Sequence, residues 1–206
     1  MVRRDLLRLP QQRPAPGAVA GHPAAVLAAT AVGAYRHARR EEHDLPDVAA
    51  VVNDVASQLS DSRFPTAAIA RLHLDTGQLR WVDAGHPDPV IVRDGALLHP
   101  GRCKPHPPLG LQVRKPEVCE TQLHEGDRVV FHTDGIVEAR SPEGEFFGEE
   151  RLVHVIHRAT AAGDPAPETV RRLMRQVLAH QADHLQDDAG IVVLEWRTGG
   201  ERRPQI

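Results

Sequence analysis

Apolar residues recur with a helical period in two parts of the chain. The clearest stripe comprises Val48, Val51, Val52, Val55 and Leu59. This spacing predicts an amphipathic helix, for which Asp44 and Pro46 supply the start signals. An Ala-rich run predicts a preceding helix over 23–40. Later stripes predict a short helix around 152–156 and a longer one over 170–178.

Between these helices apolar and polar positions alternate, which is the period of a β-strand. The predicted strands cover 68–74, 78–84, 89–93, 96–99, 118–123, 128–132 and, after the last helix, the apolar run 191–196. Asp94-Gly95 is a strong hairpin signal, and Glu125-Gly126 predicts that strand 118–123 pairs with strand 128–132. This order of helices, hairpins, helices and a closing strand predicts a layered α+β domain.

The length of 206 residues is that of one domain, or of one domain and a small extension. Residues 1–17 are Pro-rich without periodicity and are predicted to be a flexible leader, followed by the domain at 18–198 and a tail at 199–206. The formal charge of −3 leaves no basic excess to neutralise nucleic-acid phosphates. The most apolar stretch, 23–34, is well short of the roughly 20 residues of a membrane span. We therefore expect neither nucleic acid nor membrane as a partner.

The two cysteines, Cys103 and Cys119, do not form a Cys-x-x-Cys motif. One bridge could form between them, but two thiols in a chain of this size favour reduced cysteines and a cytoplasmic protein. The first residues lead into polar, Pro-rich sequence and lack the apolar run of a signal peptide, which favours the same location.

An aspartate follows directly on the predicted strand 128–132. Asp134 stands just past the strand, and Gly135 lets the chain turn away. A carboxylate fixed on a rigid element is the kind of oxygen ligand that hard divalent cations take. Asp-Gly is also an ordinary turn, and this segment by itself favours the turn.

Two adjacent carboxylates, Asp187 and Asp188, precede the last predicted strand. They repel each other unless a cation or a helix terminus lies near. Taken alone, the segment is equally compatible with a solvated loop and a metal site. Since Asp134 also follows a strand, two strand ends could bring the carboxylates together, and this favours the metal site.

Two Gly-His pairs lie beside the ends of predicted elements. Asp83-Ala84-Gly85-His86-Pro87 follows a strand, and we favour a structural turn with a satisfied His86 over ligation by that residue. Gly21 and His22 stand just before the first helix, whose N-terminal N–H groups could bind an anion.

Several spaced segments then form a common pattern. They are Leu123-His124-Glu125-Gly126-Asp127-Arg128, Thr133-Asp134-Gly135-Ile136-Val137-Glu138-Ala139, Pro108-Leu109-Gly110-Leu111, Phe147-Gly148-Glu149-Glu150-Arg151-Leu152 and Asp187-Asp188. Together they resemble the metal-dependent PPM-type serine/threonine phosphatases, in the branch of the stage II sporulation protein E phosphatases. The stretch 80–87 looks like that branch's Asn-Ala-Gly-His-Pro segment, with Asp83 in the Asn place.

The resemblance implies an α-β-β-α sandwich of two antiparallel sheets flanked by helices. It also implies two Mn²⁺ or Mg²⁺ ions, which activate a water for in-line attack on phosphoserine or phosphothreonine. Asp134 and Asp187 are the implied catalytic metal ligands, and Asp188 is a neighbouring or alternative ligand. The residues with implied structural or phosphate-proximal roles are Gly135, which aims Asp134, and Gly21, His22 and His86.

The N-terminal part departs from the family pattern. Members carry an early Gly-Asp-x-x-Asp segment, which has no counterpart before residue 17, and an Asp that bridges both metals. Ala18 stands in the place of that Asp. Alanine cannot coordinate a cation, so an incomplete metal site is expected. The first strands are also expected to be absent, and their neighbours would be covered by the leader, a partner or dimerisation.

Three functions are compatible with these observations. The first is a phosphatase acting on a phosphorylated regulatory protein of the anti-sigma antagonist type. The second, which Ala18 favours, is a degenerate domain that binds a phosphoprotein or anti-sigma partner without turnover. The third is a structural fragment without a function of its own.

Overall fold

The computed structural model describes residues 3–8, 22–59, 64–98, 100, 104–111, 114–184 and 189–198, with the backbone alone described for 3–8 and 22–25. The elements in chain order are β1 (Arg3–Arg8), α1 (His22–Arg40), α2 (Leu45–Leu59), β2 (Ala67–His73), β3 (Gln78–Ala84), β4 (Val90–Arg93), β5 (Ala96–Leu98), β6 (Cys119–Gln122), β7 (Arg128–His132), α3 (Asp134–Val137), α4 (Gly148–Ala161), α5 (Ala166–His180) and β8 (Ile191–Glu195). The predicted helices and strands are present with shifted ends, whereas the sequence pattern does not predict β1 or α3. No helix of the described residues is long and apolar enough to cross a bilayer.

Two antiparallel sheets pack face to face between two layers of helices. Sheet A has the strand order β1-β2-β3-β6, and sheet B has the order β5-β4-β7-β8. One apolar cluster packs α1 and α2 against sheet A, a second lies between the sheets, and a third packs sheet B against α3, α4 and α5. The predicted α+β class, an α-β-β-α sandwich, is confirmed.

The period of two along each strand decides which layer a side chain fills. On β3, Trp81 lies in the cluster between the sheets, and Val82 lies in the cluster beneath α1 and α2. On β7, Phe131 lies between the sheets, whereas Val130 contacts the helix layer on the other side. Because successive side chains point to opposite faces, odd-numbered positions of both strands lie on the inner walls of the sandwich.

Part of the N-terminal segment is a strand. Arg3–Arg8 forms β1 and pairs antiparallel with β2, from Arg3 opposite His73 to Arg8 opposite Ala68. The prediction of a flexible leader over 1–17 is therefore wrong for this stretch. An open strand edge is a template for pairing. The sequence leaves three coverings for such an edge open: the leader, a partner or dimerisation. In the structure a strand of the leader covers the edge of β2.

The strands on either side of Glu125-Gly126 belong to different sheets. β6 pairs with β3 in sheet A, and β7 pairs with β4 and β8 in sheet B. The predicted pairing of these two strands is therefore wrong. A turn signal reports that the chain reverses, but it does not report which strand lies alongside.

A buried ion pair stands where the chain crosses between the sheets. The fully buried Asp127 carboxylate accepts hydrogen bonds from Arg93, with Nε to Oδ1 at 2.8 Å and Nη2 to Oδ2 at 2.6 Å. It also accepts the His124 N–H at 2.8 Å. Arg93 of β4 donates in addition to the carbonyl of Gln122 in β6 at 3.2 Å. The same guanidinium therefore ties sheet B to sheet A.

Cys119 is buried on β6 and disulfide-bonded. The prediction of reduced thiols is therefore wrong for Cys119, and Cys103 lies outside the described residues. The number of cysteines indicates the usual redox compartment of such a chain, whereas a bridge depends on how near two Cβ atoms come in the fold.

Candidate functional site

One end of the sandwich collects the chemistry-bearing segments. β2 begins at Ala67 opposite Ala84, the last residue of β3, and a short loop leads from there to the start of β4 at Val90. β7 ends at His132 opposite Ile191, the first residue of β8. The loop after β3, the exit of β7 and the entry of β8 therefore share one end, which we call the site end.

Asp134 stands at the site end as the first residue of α3. The preceding residue, Thr133, keeps an extended backbone with φ −81° and ψ 159°. The Asp134 side chain is exposed, and its Oδ1 accepts the Gly135 N–H at 3.1 Å. The sequence predicts that Gly135 turns the chain away from the strand; in the structure Gly135 is a buried residue within the helix. Asp134 is thus presented by a strand-to-helix junction.

Thr133 connects this junction to β8. Its N–H donates to the Gly190 carbonyl at 2.9 Å, and its Oγ1 accepts the Gly190 N–H at 2.9 Å. The Thr133 side chain is buried. In the sequence Thr133 stands out only as part of a motif. The signal that could have identified it is a hydroxyl residue one position before a strand-end aspartate.

The two other predicted ligands, Asp187 and Asp188, lie outside the described residues. The paired residues end with His132 opposite Ile191, and Thr133 then bonds to Gly190, which stands two residues after Asp188 in the sequence. Asp187 and Asp188 as metal ligands stay a prediction. Gly21 also lies outside the described residues, and His22 is the first residue of α1, with only its backbone described.

The loop after β3 is closed by Asp83. Its Oδ1 accepts the His86 N–H at 2.6 Å. The His86 imidazole is buried, with Nδ1 3.5 Å from Thr66 Oγ1. Burial raises the pKa of the half-buried Asp83 carboxyl to about 6. The hydrogen bond from the His86 N–H lowers this pKa, and the negative charge of Asp88 raises it.

We expect the replacement Asp83→Asn to stabilise the fold at neutral pH. Asn keeps an oxygen for the His86 N–H and removes a charge that burial disfavours. The folded state binds the proton more tightly than the unfolded one, so the wild-type chain loses stability as the pH rises from about 4 through about 6.

Thermal unfolding of the wild-type chain and of Asp83→Asn across this pH range measures the effect. The advantage of the variant should be absent below pH about 4 and complete above the folded pKa. A pH-independent difference would contradict the assignment, and Asp75→Asn, an exposed turn residue, is the matched control.

The residue types at the site end suit a hard cation, but the described residues supply few of them. Asp134 offers a carboxylate, which Mg²⁺ and Mn²⁺ prefer as ligand. Within the part of the chain that the structure describes, no three His, Cys, Asp or Glu side chains come together to hold a metal ion. The structure does not bring His86 and Asp134 into one such cluster. The chemistry of the donor fits, and a complete ligand set requires further carboxylates.

The family model for stage II sporulation protein E (SpoIIE) matches residues 17–197. The chain belongs to the SpoIIE family. This confirms the resemblance and, with the two-sheet architecture, makes the family and fold those of PP2C-type serine/threonine phosphatases.

Solved structures show the same fold. The RsbU and RsbW domains of Rv1364c from Mycobacterium tuberculosis superpose with a TM-score of 0.74 at 20% identity, covering 94% of this SpoIIE-family chain and 56% of that one. The catalytic domain of the phosphatase PstP, in complex with two manganese ions, superposes with a TM-score of 0.58 at 18% identity, covering 94% and 97%.

A curated relative matches this chain over only part of its own length. Protein IcfG of Synechocystis sp. is 25% identical over 151 residues, which cover 71% of this chain and 23% of IcfG. The SpoIIE-family chain thus spans about a quarter of IcfG and just over half of the Rv1364c chain.

Proposed function

We propose that this SpoIIE-family domain is a metal-dependent phosphatase that hydrolyses phosphoserine or phosphothreonine on a regulatory protein. The observation that carries the proposal is the family match over 17–197, with Asp134 exposed at a fixed strand end. The PP2C-type fold of the structural relatives supports the same class of reaction.

In this proposal Asp134, Asp187 and Asp188 would hold Mn²⁺ or Mg²⁺. A divalent cation there supplies Lewis-acid activation of water and neutralises charge on the phosphoryl group. The two manganese ions of the PstP complex support this choice of metal. The contribution of the chain is placement, because the contact between Thr133 and Gly190 fixes the strand end beside which Asp134 stands.

The proposed substrate is a phosphorylated regulatory protein of the anti-sigma antagonist type. The Rv1364c structure contains an RsbU and an RsbW domain, which supports a regulatory partner for this chain. Such a substrate implies that the domain works in the cytoplasm. Dimerisation stays a prediction.

Phosphate release from a phosphoserine peptide tests the proposal. We expect release in the presence of Mn²⁺ and its loss when EDTA removes the metal, because the carboxylates alone cannot activate water. Circular dichroism of the same samples establishes that the chain is folded in both conditions. A folded chain that releases no phosphate even at high Mn²⁺ would overturn the proposal.

A separate observation favours a second function. Ala18 stands where the family pattern has its bridging Asp, and a site short of a carboxylate binds cations weakly. The alternative is a domain that recognises a phosphoprotein without turnover. Fluorescence anisotropy with the same peptide separates the two, since the alternative predicts saturable binding, no phosphate release and an unchanged Kd in Asp134→Asn.

A further inference from the structure

We propose that Thr133 is a positioning residue whose hydroxyl replaces a backbone acceptor of the β7–β8 ladder, and that this exchange sets Asp134 at the start of α3. The inference rests on the proposed function for its metal-binding consequence. The exchange itself is a property of the metal-free chain.

The register makes Thr133 and Gly190 an opposed pair. β7 and β8 are antiparallel, and their last assigned pair is His132 opposite Ile191, so Thr133 comes next to Gly190. The Thr133 N–H donates to the Gly190 carbonyl at 2.9 Å. In a regular antiparallel pair of this kind, the two residues exchange both N–H···O=C bonds. The Gly190 N–H would then donate to the Thr133 carbonyl.

The structure shows a different second bond. The Gly190 N–H donates to Thr133 Oγ1 at 2.9 Å. The Thr133 carbonyl instead accepts the Ile136 N–H at 3.1 Å, and His132 Nδ1 lies 3.1 Å from the same oxygen. The hydroxyl thus satisfies β8, and the carbonyl is left available for the first turn of α3.

This exchange explains why the strand passes into a helix at Asp134 without an unsatisfied N–H at the edge of the sheet. Asp134 follows Thr133 directly, and its own carbonyl accepts the Glu138 N–H at 2.8 Å. Gly190 is half-buried, and an N–H that loses its acceptor there costs stability, so a side chain without a hydroxyl at position 133 forces a choice. Either Gly190 loses its partner, or the ladder extends and α3 unwinds, and each outcome moves Asp134.

Two replacements of Thr133 test whether its hydroxyl group is responsible. Thr133→Val keeps the shape and removes the hydroxyl, whereas Thr133→Ser keeps the hydroxyl. Thr169→Val is the control for general destabilisation, because Thr169 is also buried and its Oγ1 accepts a hydrogen bond from Arg128 Nη1 at 2.7 Å. Thr169 lies on α5, so loss of its hydroxyl is not expected to move Asp134.

Mn²⁺ affinity by calorimetry is the first measurement. We expect Thr133→Val to lower the affinity roughly 10- to 100-fold, as loss of a supporting contact around a metal ligand does. Thr133→Ser should restore it to near the wild-type value, and Thr169→Val should leave it unchanged. Wild-type affinity in Thr133→Val, or an equal loss in Thr169→Val, would overturn the positioning role.

Amide hydrogen exchange in the metal-free chain is the second measurement. Thr133→Val should speed exchange at Ile136 and Glu138, whose N–H groups bond the first turn of α3, and Thr133→Ser should not. Unchanged exchange at both amides would overturn the inference even if Mn²⁺ affinity fell. If the wild-type chain binds no Mn²⁺, the phosphatase proposal fails, and this measurement still decides the role of Thr133.

Discussion

Replacement of Asp134 by Asn is expected to abolish phosphate release while leaving the fold intact. The carboxylate is exposed at the start of α3, and its contact with the Gly135 N–H can be kept by the Asn side-chain oxygen. The stability of the fold therefore depends little on the charge of Asp134. Changes around metal ligands typically cost 10- to 100-fold in activity, so loss of a ligand should cost on the order of 100-fold or more.

The matched control for this prediction is Asp75→Asn. Asp75 is exposed in the turn between β2 and β3, at the opposite end of the sandwich. The two variants make the same chemical change, and we expect phosphate release from Asp75→Asn to equal that of the wild-type chain. Residual activity of Asp134→Asn within a few-fold of wild type would contradict the assignment of Asp134.

Replacement of Asp127 by Asn is expected to cause the largest loss of stability, about 2–4 kcal/mol at pH 7. Burial by itself raises the pKa of the Asp127 carboxyl, but the hydrogen bonds from Arg93 and the His124 N–H outweigh it, and the pKa lies below its usual value. The neutral amide leaves the Arg93 guanidinium without its counter-charge at the junction of the sheets.

The pH dependence of this loss has a fixed sign. Because the folded pKa lies below the unfolded one, the ion pair contributes its full stability above the unfolded pKa, and the contribution is lost as the pH falls through the folded pKa. The difference between the wild-type chain and Asp127→Asn should therefore shrink below pH about 4. Urea unfolding at a series of pH values measures it.

A surface ion pair is the control for Asp127. Glu168 on α5 is paired with the exposed Arg171 and Arg175. Such pairs contribute about 0–1 kcal/mol, so Glu168→Gln should unfold almost as the wild-type chain does. A loss in Asp127→Asn no larger than in Glu168→Gln would contradict the role given to the buried pair.

The elements that the sequence predicts well are those whose signal is local. The stripe from Val48 to Leu59 predicts α2 correctly, because an amphipathic helix has one apolar face to cover and the pattern does not depend on which element covers it. Asp44 also acts as predicted, accepting the Leu45 N–H with Oδ1 at 2.8 Å at the start of the helix. The alternating runs give β2 and β3 for the same reason.

The features that the sequence does not predict depend on partners far along the chain. Glu125-Gly126 looks like a hairpin turn, but β6 pairs with β3 and β7 pairs with β4 and β8, so the turn is a crossing between sheets. β1 exists by pairing with β2, and the polar, Pro-rich sequence around it carries no strand period.

The position of Asp134 at a strand end could be predicted from the sequence, and the hydrogen bonds that build this end of the sandwich could not. A strand followed by Asp-Gly is a local pattern that predicts where Asp134 stands, but by itself it favours an ordinary turn over a metal ligand. The exchange of hydrogen bonds between Thr133 and Gly190 could not be predicted, because it depends on which strand lies beside β7. Asp187 and Asp188, outside the described residues, remain sequence predictions.

Calorimetric titration of the wild-type chain with Mn²⁺ tests most directly whether the site end binds a divalent cation. The expected result is saturable binding that Asp134→Asn abolishes and Asp75→Asn preserves. The absence of binding in the folded wild-type chain, or equal binding in Asp134→Asn, would contradict the assignment of this end of the sandwich as the metal centre of a SpoIIE-family phosphatase.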